Sequence, residues 1–366
     1  MPGAPARPPA EVLARFVLER ILCLRRGETL TVEAWSHGVP WARALIVAAR
    51  RRGATATLVV EDEPAFFEGL ATRGARSPRP FAARPSRSDA LVRLEGPEAF
   101  PRLFGIDRDR IDRMLGPAAP DARDPSRGRP RSVRLRVADA SAIAAARFGL
   151  DAERWEAELY RASLVDPRRL VAAGRRLTRS LGRSRSLRLR HPNGTDLSLR
   201  LSAAPPRIWS GRASADTPGD LPGGLWTARI SAGSASGVWE TNRPAYDRWA
   251  RTPVVTRARL RFVAGRLREF DCESGEEALA AFVRSGRGRV RPLRLAIGLN
   301  PEIDRAPEVG ELGDGVASLW VGARPPASTG GGPRFSFVAS LSGAEIERDG
   351  RTWPVARLVA GPPARR

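Results

Sequence analysis

The sequence predicts a two-domain fold, with an N-terminal α/β domain built on a parallel sheet at 1–183 and a β-rich α+β domain at 184–366. Three observations predict it. A chain of 366 residues exceeds what one small core accommodates. Its first half alternates strand-like and helix-like segments, which favours a parallel sheet. Its second half alternates apolar and polar residues between Gly, Pro and Asn turns, which favours antiparallel strands.

The first half opens with a helix followed by a β-α-β order. Residues 10–24 place apolar side chains at helical spacing. A strand is predicted at 29–35, a helix with Pro40 in its first turn at 38–54, and a second apolar strand at 55–62. Parallel strands joined through a helix take a right-handed crossover, so these segments predict the start of a parallel sheet.

The remainder of the first half contains two more strand-like segments and a long helix. The strands are predicted at 86–96 and 132–139, with a polar Pro- and Arg-rich loop at 117–131 before the second. Residues 151–181 are helical in pattern, with a break near Asp166 and the proline after it. The sheet pattern that follows places the domain boundary near 182–186.

The second half contains one predicted helix among its strands. This helix lies at 274–286, where Ser274 and Glu277 have the spacing of a capping box. A sharp turn at Asn300-Pro301 follows the strand-like stretch "LRLAIG". The sequence contains no internal repeat, so these strands form one domain rather than an array.

The charge of the chain raises nucleic-acid binding as an alternative. The formal net charge is +22, the pI is near 11.6, and all 62 basic residues are arginine. Phosphate binding does not require the exclusion of lysine. The densest basic stretch, 166–190, lacks the interleaved aromatic residues of a base-stacking platform. We therefore interpret the arginines as a solvated surface and keep a polyanion or nucleic-acid binder as an alternative function.

The sequence gives no sign of membrane insertion or export. No apolar run approaches the roughly 20 residues that span a bilayer. The N-terminus lacks an apolar segment ahead of a cleavage site. Cys23 and Cys272 are the only cysteines, too few for a disulfide framework. We expect a cytoplasmic protein that does not bind membranes.

The residue inventory argues against familiar catalytic sites. His37 and His191 are the only histidines, and neither belongs to a pair with metal-ligand spacing. Each is interpreted as a turn or surface histidine. Cys272 stands between Asp271 and Glu273, which disfavour a thiolate nucleophile. The chain has no G-x-S-x-G elbow, Walker loop or G-x-G-x-x-G turn. We therefore predict no catalytic residue, no metal and no cofactor.

Four groups of segments together resemble the aminopeptidase T family of bacterial metallo-aminopeptidases. They occur in the family's order and spacing, and they are "LRRGETLTVEAW" with "PWARALIVAARRRGATATLVVEDE", "LVDPRRLVAAGRRLTRSL", "HPNGTDLSLRLS", and "LPGGLWTARISAGSASGVWE" with "GLNPEI" and "GVASLWVGA". The resemblance implies the two-domain fold, a homodimer formed through the second domain, and two metal ions held by carboxylates and histidines.

Carried over residue by residue, the family's metal ligands are absent from this chain. The resemblance places the ligands and the neighbouring tyrosine at Gly224 or Leu225, Arg294, Ser318, near Pro325, Ala339 and Leu341. None of these side chains is a carboxylate or a histidine. A fixed positive charge at Arg294 repels a divalent cation. The resemblance therefore implies a scaffold without the family's metal chemistry.

The function that we predict is non-catalytic peptide binding by an aminopeptidase-like pseudoenzyme. The expected partner is a precursor peptide in ribosomal peptide natural-product biosynthesis, or a peptide-modifying enzyme. The candidate peptide-contacting residues are Arg294, Arg324, Ser318, Ser340, Trp226 and Trp320. For each residue, the alternative is a core or solvated position. The alternative function is an active metallo-aminopeptidase with unrecognised ligands, or an enzyme with a different reaction.

Overall fold

The protein consists of two compact units. A computed structural model describes residues 9–71, 80–81, 88–94, 96, 98, 130–182, 185–214, 217–247, 255–304, 307–322 and 337–360. The first unit comprises Met1–Pro167 and Ser210–Gly223, and the second comprises Arg168–Trp209 and Gly224–Arg366. The division at Pro167 precedes the boundary that the sequence suggests, and the return of 210–223 to the first unit was not predicted.

The first unit is built on a five-stranded parallel sheet. Its strand order is β2-β1-β3-β4-β8, and every neighbouring pair is parallel. The sheet confirms the predicted parallel α/β architecture. The strand predicted at 132–139 ends at Leu135, because Val137–Asp139 forms a 3-10 turn. The strand bounds are β1 Thr29–Trp35, β2 Thr55–Glu61, β3 Ala90–Leu94, β4 Arg131–Leu135 and β8 Gly219–Leu221.

Helices of the first unit pack their apolar faces against this sheet. The second helix, α2, turns Trp41, Leu45 and Ala49 inward at four-residue spacing. Gly53 (φ 74°) ends the turn that follows it. The described helices of this unit are α1 Ala10–Phe16, which continues as a π-helix at Val17–Ile21, α2 Val39–Arg51, α3 Glu63–Ala71, α4 Ala142–Phe148 and α5 Ala152–Ser163.

The second unit contains two antiparallel sheets. The first has the order β13-β12-β10-β6-β5-β17-β18, and the second, hereafter the six-stranded sheet, has the order β11-β16-β15-β14-β9-β7. Both confirm the predicted β-rich second half. The strand bounds are β5 Ser186–His191, β6 Thr195–Arg200, β7 Arg207–Trp209, β9 Leu225–Arg229, β10 Ser236–Glu240, β11 Tyr246–Asp247, β12 Arg259–Val263, β13 Arg266–Asp271, β14 Arg291–Gly298, β15 Ala317–Gly322, β16 Phe337–Leu341, β17 Glu345–Arg348 and β18 Arg351–Pro354.

Three described helices complete the second unit, with bounds α6 Pro167–Leu181, α7 Glu276–Ser285 and α8 Val355–Ala360. The predicted capping box of α7 is wrong. Gly275 occupies the N-cap position, and the Ser274 hydroxyl lies 2.7 Å from the Thr256 hydroxyl instead. Among the described helices, none is both long and apolar enough to cross a membrane.

The end of β14 is held by close backbone packing that only glycine permits. A Cβ at Gly298 would lie 1.9 Å from the carbonyl oxygen of Gly313. The backbone N–H of Leu299 donates to the carbonyl of Gly224 at 2.9 Å, and that of Asn300 donates to the carbonyl of Leu312 at 2.8 Å. The predicted turn after the "LRLAIG" strand is therefore anchored to two neighbouring segments.

We expect Gly298→Ala to destabilise the second unit by about 3 kcal/mol, because its methyl group would force the backbone apart. Gly310→Ala is the matched control, since a Cβ there meets only the Arg243 guanidinium at 3.6 Å. Calorimetric unfolding of both variants measures the difference. Equal melting temperatures for the two variants would contradict the close packing at Gly298.

His37 lies in the 3-10 turn at the carboxyl end of β1, which confirms its assignment to a turn. Its Nδ1 is 3.8 Å from Oε2 of Glu63, and its side chain is 16% exposed. Burial lowers the pKa of His37 below its ordinary value, and the nearby Glu98 and Glu63 carboxylates only partly oppose this.

The lowered pKa makes the stability of the protein depend on pH. The unfolded chain binds the His37 proton more readily than the folded protein, so stability falls as the pH decreases below about 6.5 toward the lowered pKa. We expect the His37→Asn variant to lose less of its free energy of unfolding on acidification than the unmodified protein does. Urea unfolding at pH 8 and pH 5 provides the measurement. An identical decrease in the free energy of unfolding from pH 8 to pH 5 in the two proteins would contradict the prediction.

Candidate functional site

The candidate site lies on one face of the six-stranded sheet, where strand register sets side chains in two parallel rows. The first row runs Arg229, Arg294, Trp320 and Val338, each directly opposite the next. The second row runs Arg207, Thr227, Ala296, Ser318 and Ser340. Residues two apart in a strand share a face, so both rows lie on the same side. We call this side the arginine face.

A β-bulge precedes Arg294 in β14. The pairing with β15 shifts between Pro292 and Arg294, which leaves Leu293 as the extra residue. The carbonyl of Leu293 accepts a hydrogen bond from the N–H of Ile230 at 3.1 Å. Bulges twist a strand and redirect the side chains next to them. The bulge therefore sets which face of the sheet the Arg294 side chain occupies.

Arg294 rests on an aromatic ring that is itself anchored. Its Cζ lies 5.5 Å from the centroid of the Trp320 ring, a cation–π contact worth about 0.5–1 kcal/mol at a partly exposed site. The Trp320 indole N–H donates to Oε2 of Glu311 at 2.7 Å. Glu311 is 3% exposed. A buried carboxylate thus fixes the ring, and the ring fixes the guanidinium.

Three arginines surround a small cavity on this face. It has a volume of about 140 Å³ and is lined by Ala204, Pro205, Arg207, Thr227, Arg229 and Arg294. Arg207 and Arg229 are exposed, and no carboxylate of the described residues pairs with either. The Thr227 hydroxyl at its base accepts from the Trp209 indole at 3.3 Å. The cavity is therefore strongly electropositive.

Two of the six predicted contact residues lie together at the surface. Arg294 and Trp320 are stacked on the arginine face and are both partly exposed. Arg324 lies outside the described residues. Arg207 and Arg229 were not among the predicted contact residues, although they line the cavity beside Arg294. The alternation in "LWTAR" puts Arg229 on the same side as Thr227, but only the strand order brings it beside Arg294.

The other three predicted contact residues are buried. The hydroxyls of Ser318 and Ser340 are 2.8 Å apart, and these residues are 0% and 2% exposed. Trp226 is 1% exposed and lies on the opposite side of the sheet, where its indole donates to the Thr178 hydroxyl at 2.9 Å. These three residues therefore occupy core positions, which the sequence analysis gave as the alternative, and their assignment to peptide contact stays a prediction.

The register also corrects one assignment of the metal-ligand positions. Ala339 and Leu341 point away from Arg294 and are 0% exposed, so they cannot share a site with it. The β16 residues on the arginine face are Val338 and Ser340.

Neither Ala339 and Leu341 nor Val338 and Ser340 supply a carboxylate or histidine ligand. Valine offers no donor, and the Ser340 hydroxyl is neutral and already bonded to Ser318. Among the described residues, no three His, Cys, Asp or Glu side chains come together as a metal site. The donors present do not fit two divalent ions.

A second, larger cavity in this unit, of about 390 Å³, lies at the opposite end of the strands near Ser342. Its principal cation is Arg243, which donates to the Ser342 hydroxyl and to the carbonyl of Asp304 at 2.6 Å. These bonds tie two loops together. The arginine face is therefore the better candidate. Arg207 and Arg229 line its cavity, and neither of their side chains is bonded to another loop among the described residues.

Comparison with solved structures shows the fold. Aminopeptidase T from Thermus thermophilus superposes with a TM-score of 0.63 at 19% identity, covering 94% of this chain and 96% of that one. A 2,5-dihydroxypyridine dioxygenase from Pseudomonas putida KT2440 superposes with a TM-score of 0.57 at 16% identity, covering 94% of each chain. No protein-family model and no curated protein sequence matches this chain. The chain therefore has the fold of aminopeptidase T over nearly its whole length.

We expect Trp320→Phe to destabilise the protein by about 1.5–3 kcal/mol, because it removes a hydrogen bond to the buried Glu311 carboxylate. Trp353→Phe is the matched control. Arg348 lies 5.4 Å from the Trp353 ring centroid, and the Trp353 indole makes no hydrogen bond among the described residues. Denaturant unfolding compares the two variants. A loss at Trp353 as large as that at Trp320 would contradict an anchoring role for Glu311.

Proposed function

We propose that this chain is a non-catalytic, aminopeptidase-like protein that binds peptides. One observation carries the proposal. On a scaffold with the fold of aminopeptidase T, Arg294 stands where the resemblance places a metal-binding glutamate, and it lies beside Trp320, Arg207 and Arg229 on the arginine face. Guanidinium groups and aromatic rings suit ligand binding, whereas they supply no base, nucleophile or Lewis acid for hydrolysis.

The architecture supports an extended ligand. Among the described strands, β7 is an edge of the six-stranded sheet and borders the cavity through Arg207. Extended peptides add to sheet edges through main-chain hydrogen bonds, and neighbouring side-chain pockets then select the sequence. A peptide beside β7 would place its side chains or its end near the arginines.

The biological setting is part of the same proposal. A peptide-binding scaffold without hydrolytic residues suits an accessory protein that presents a precursor peptide to a modifying enzyme in ribosomal peptide natural-product biosynthesis. We propose a cytoplasmic homodimer for this role. Light scattering of the purified protein tests the homodimer. Deletion of its gene from a producing strain tests the biosynthetic role.

The test combines binding with turnover. The purified protein is incubated with a randomised peptide library for pull-down, and with aminoacyl-4-nitroanilides in the presence of Mn²⁺, Co²⁺ or Zn²⁺. We expect retained peptides and no release of nitroaniline, because the scaffold has no described side chains that fit two metal ions. Aminopeptidase T from Thermus thermophilus serves as the positive control for turnover.

Two results would contradict the proposal in different ways. Stoichiometric bound metal together with nitroaniline release would identify an active metallo-aminopeptidase with other ligands. Failure to retain any peptide, with tight binding to heparin or DNA that weakens steeply with salt, would identify a polyanion binder.

A further inference from the structure

The arginine face gathers like charges that the fold itself does not require. Arg229 and Arg294 are directly opposite each other on adjacent antiparallel strands, and Arg207 lines the same cavity. Like charges in direct cross-strand positions are destabilising. No described carboxylate neutralises Arg207 or Arg229. A bound anion would relieve this repulsion, so the cluster is suited to receive one.

The cavity has the size of a small oxyanion group rather than of a large ligand. A volume of about 140 Å³ is close to the roughly 150 Å³ of an engineered cavity that admits one benzene molecule. Guanidinium groups bind carboxylates through paired parallel hydrogen bonds. Arg294 is held on the Trp320 ring, so little side-chain freedom would be lost when it binds.

We propose that Arg207, Arg229 and Arg294 form a carboxylate site that binds the C-terminal carboxylate or an acidic side chain of a peptide. This inference rests on the proposed peptide-binding function and names the chemistry that the peptide must carry. The site also reverses the polarity of substrate recognition expected for an aminopeptidase, which acts at the amino end of its substrate. A ligand is therefore selected for a negative group at this position.

The surroundings favour a carboxylate over a nucleic-acid backbone. A strand-binding groove combines several cations with aromatic faces on which successive bases stack. Here two described aromatic rings lie near the cavity, and both are engaged within the protein. Trp320 lies under Arg294 with its indole N–H bonded to Glu311, and the Trp209 indole N–H is bonded to Thr227. The cavity is local, and it accepts one charged group.

The first experiment varies only the carboxylate of the ligand. One randomised hexapeptide library, free of Asp and Glu, is prepared with a free C-terminus and with a C-terminal amide, and a third amidated library carries a single Glu. We expect retention of the free-acid library, the Glu library or both, and about tenfold weaker retention of the amidated, acid-free library. The better-retained form identifies which carboxylate the site takes.

The second experiment removes single cations. We expect Arg207→Gln, Arg229→Gln and Arg294→Gln each to reduce the affinity for the best carboxylate library about tenfold. Arg268→Gln is the matched control, because Arg268 is exposed on β13 in the other antiparallel sheet. Arg207→Gln and Arg229→Gln should melt no lower than the control, since each relieves repulsion, whereas Arg294→Gln also loses the contact with the Trp320 ring. Equal affinity in all four variants would overturn the site.

A direct probe separates failure of the site from failure of the proposed function. In ¹⁵N spectra, the indole N–H signal of Trp320 is identified from the Trp320→Phe variant and followed during titration with N-acetylalanine, its amide and inorganic phosphate. We expect a shift with N-acetylalanine that its amide does not cause and that Arg294→Gln abolishes. Equal retention of all libraries, with no N-acetylalanine shift, would overturn the site and leave peptide binding intact.

The remaining outcomes also decide between the two proposals. An N-acetylalanine shift without retention of any peptide library would support the site and refute peptide binding. A response to phosphate at lower concentration than to N-acetylalanine would overturn the assignment to carboxylates.

Discussion

The cross-strand register of β9, β14, β15 and β16 is the constraint on which the candidate site depends. It sets Arg229 opposite Arg294 and Arg294 opposite Trp320. A slip of one residue would turn all of these side chains to the other face. The bulge at Leu293 and the close packing at Gly298 fix the two ends of β14. The backbone pairing therefore determines which side chains lie on this face.

The position of Arg294 has an energetic consequence for the binding of a metal ion on this face. At 4 Å and an effective dielectric constant of 20, two unit charges interact by about 4 kcal/mol, so a divalent ion beside this guanidinium is opposed by about 8 kcal/mol. The same charge attracts a carboxylate. A guanidinium at this position thus disfavours a cation and favours an anion, and it stacks on the Trp320 ring, which is bonded to the buried Glu311 carboxylate.

The sequence predicted the features that are local and periodic. Apolar spacing located β1, α2 and β2 almost to the residue, because such patterns report which side chains are buried. Features that depend on strand order were not predictable in this way. Arg207 becomes a neighbour of Arg294 only because β9 lies between their strands. The return of 210–223 to the first unit likewise arises from β8 pairing with β4, a contact between segments far apart in sequence.

The burial of three predicted contact residues has one physical cause. Ser318, Ser340 and Trp226 were selected by residue type, but their burial depends on which layers cover each face of the sheet. Arg207 and Arg229 are exposed on the same face as the buried serines, since their charged heads remain solvated while the backbone fixes their positions. Their mutual repulsion lowers the stability of the free protein, and an anion that removes it binds more tightly for the same reason. At Arg207 and Arg229, stability and affinity are therefore expected to respond with opposite signs to the loss of the charge, which separates a binding role from a structural one.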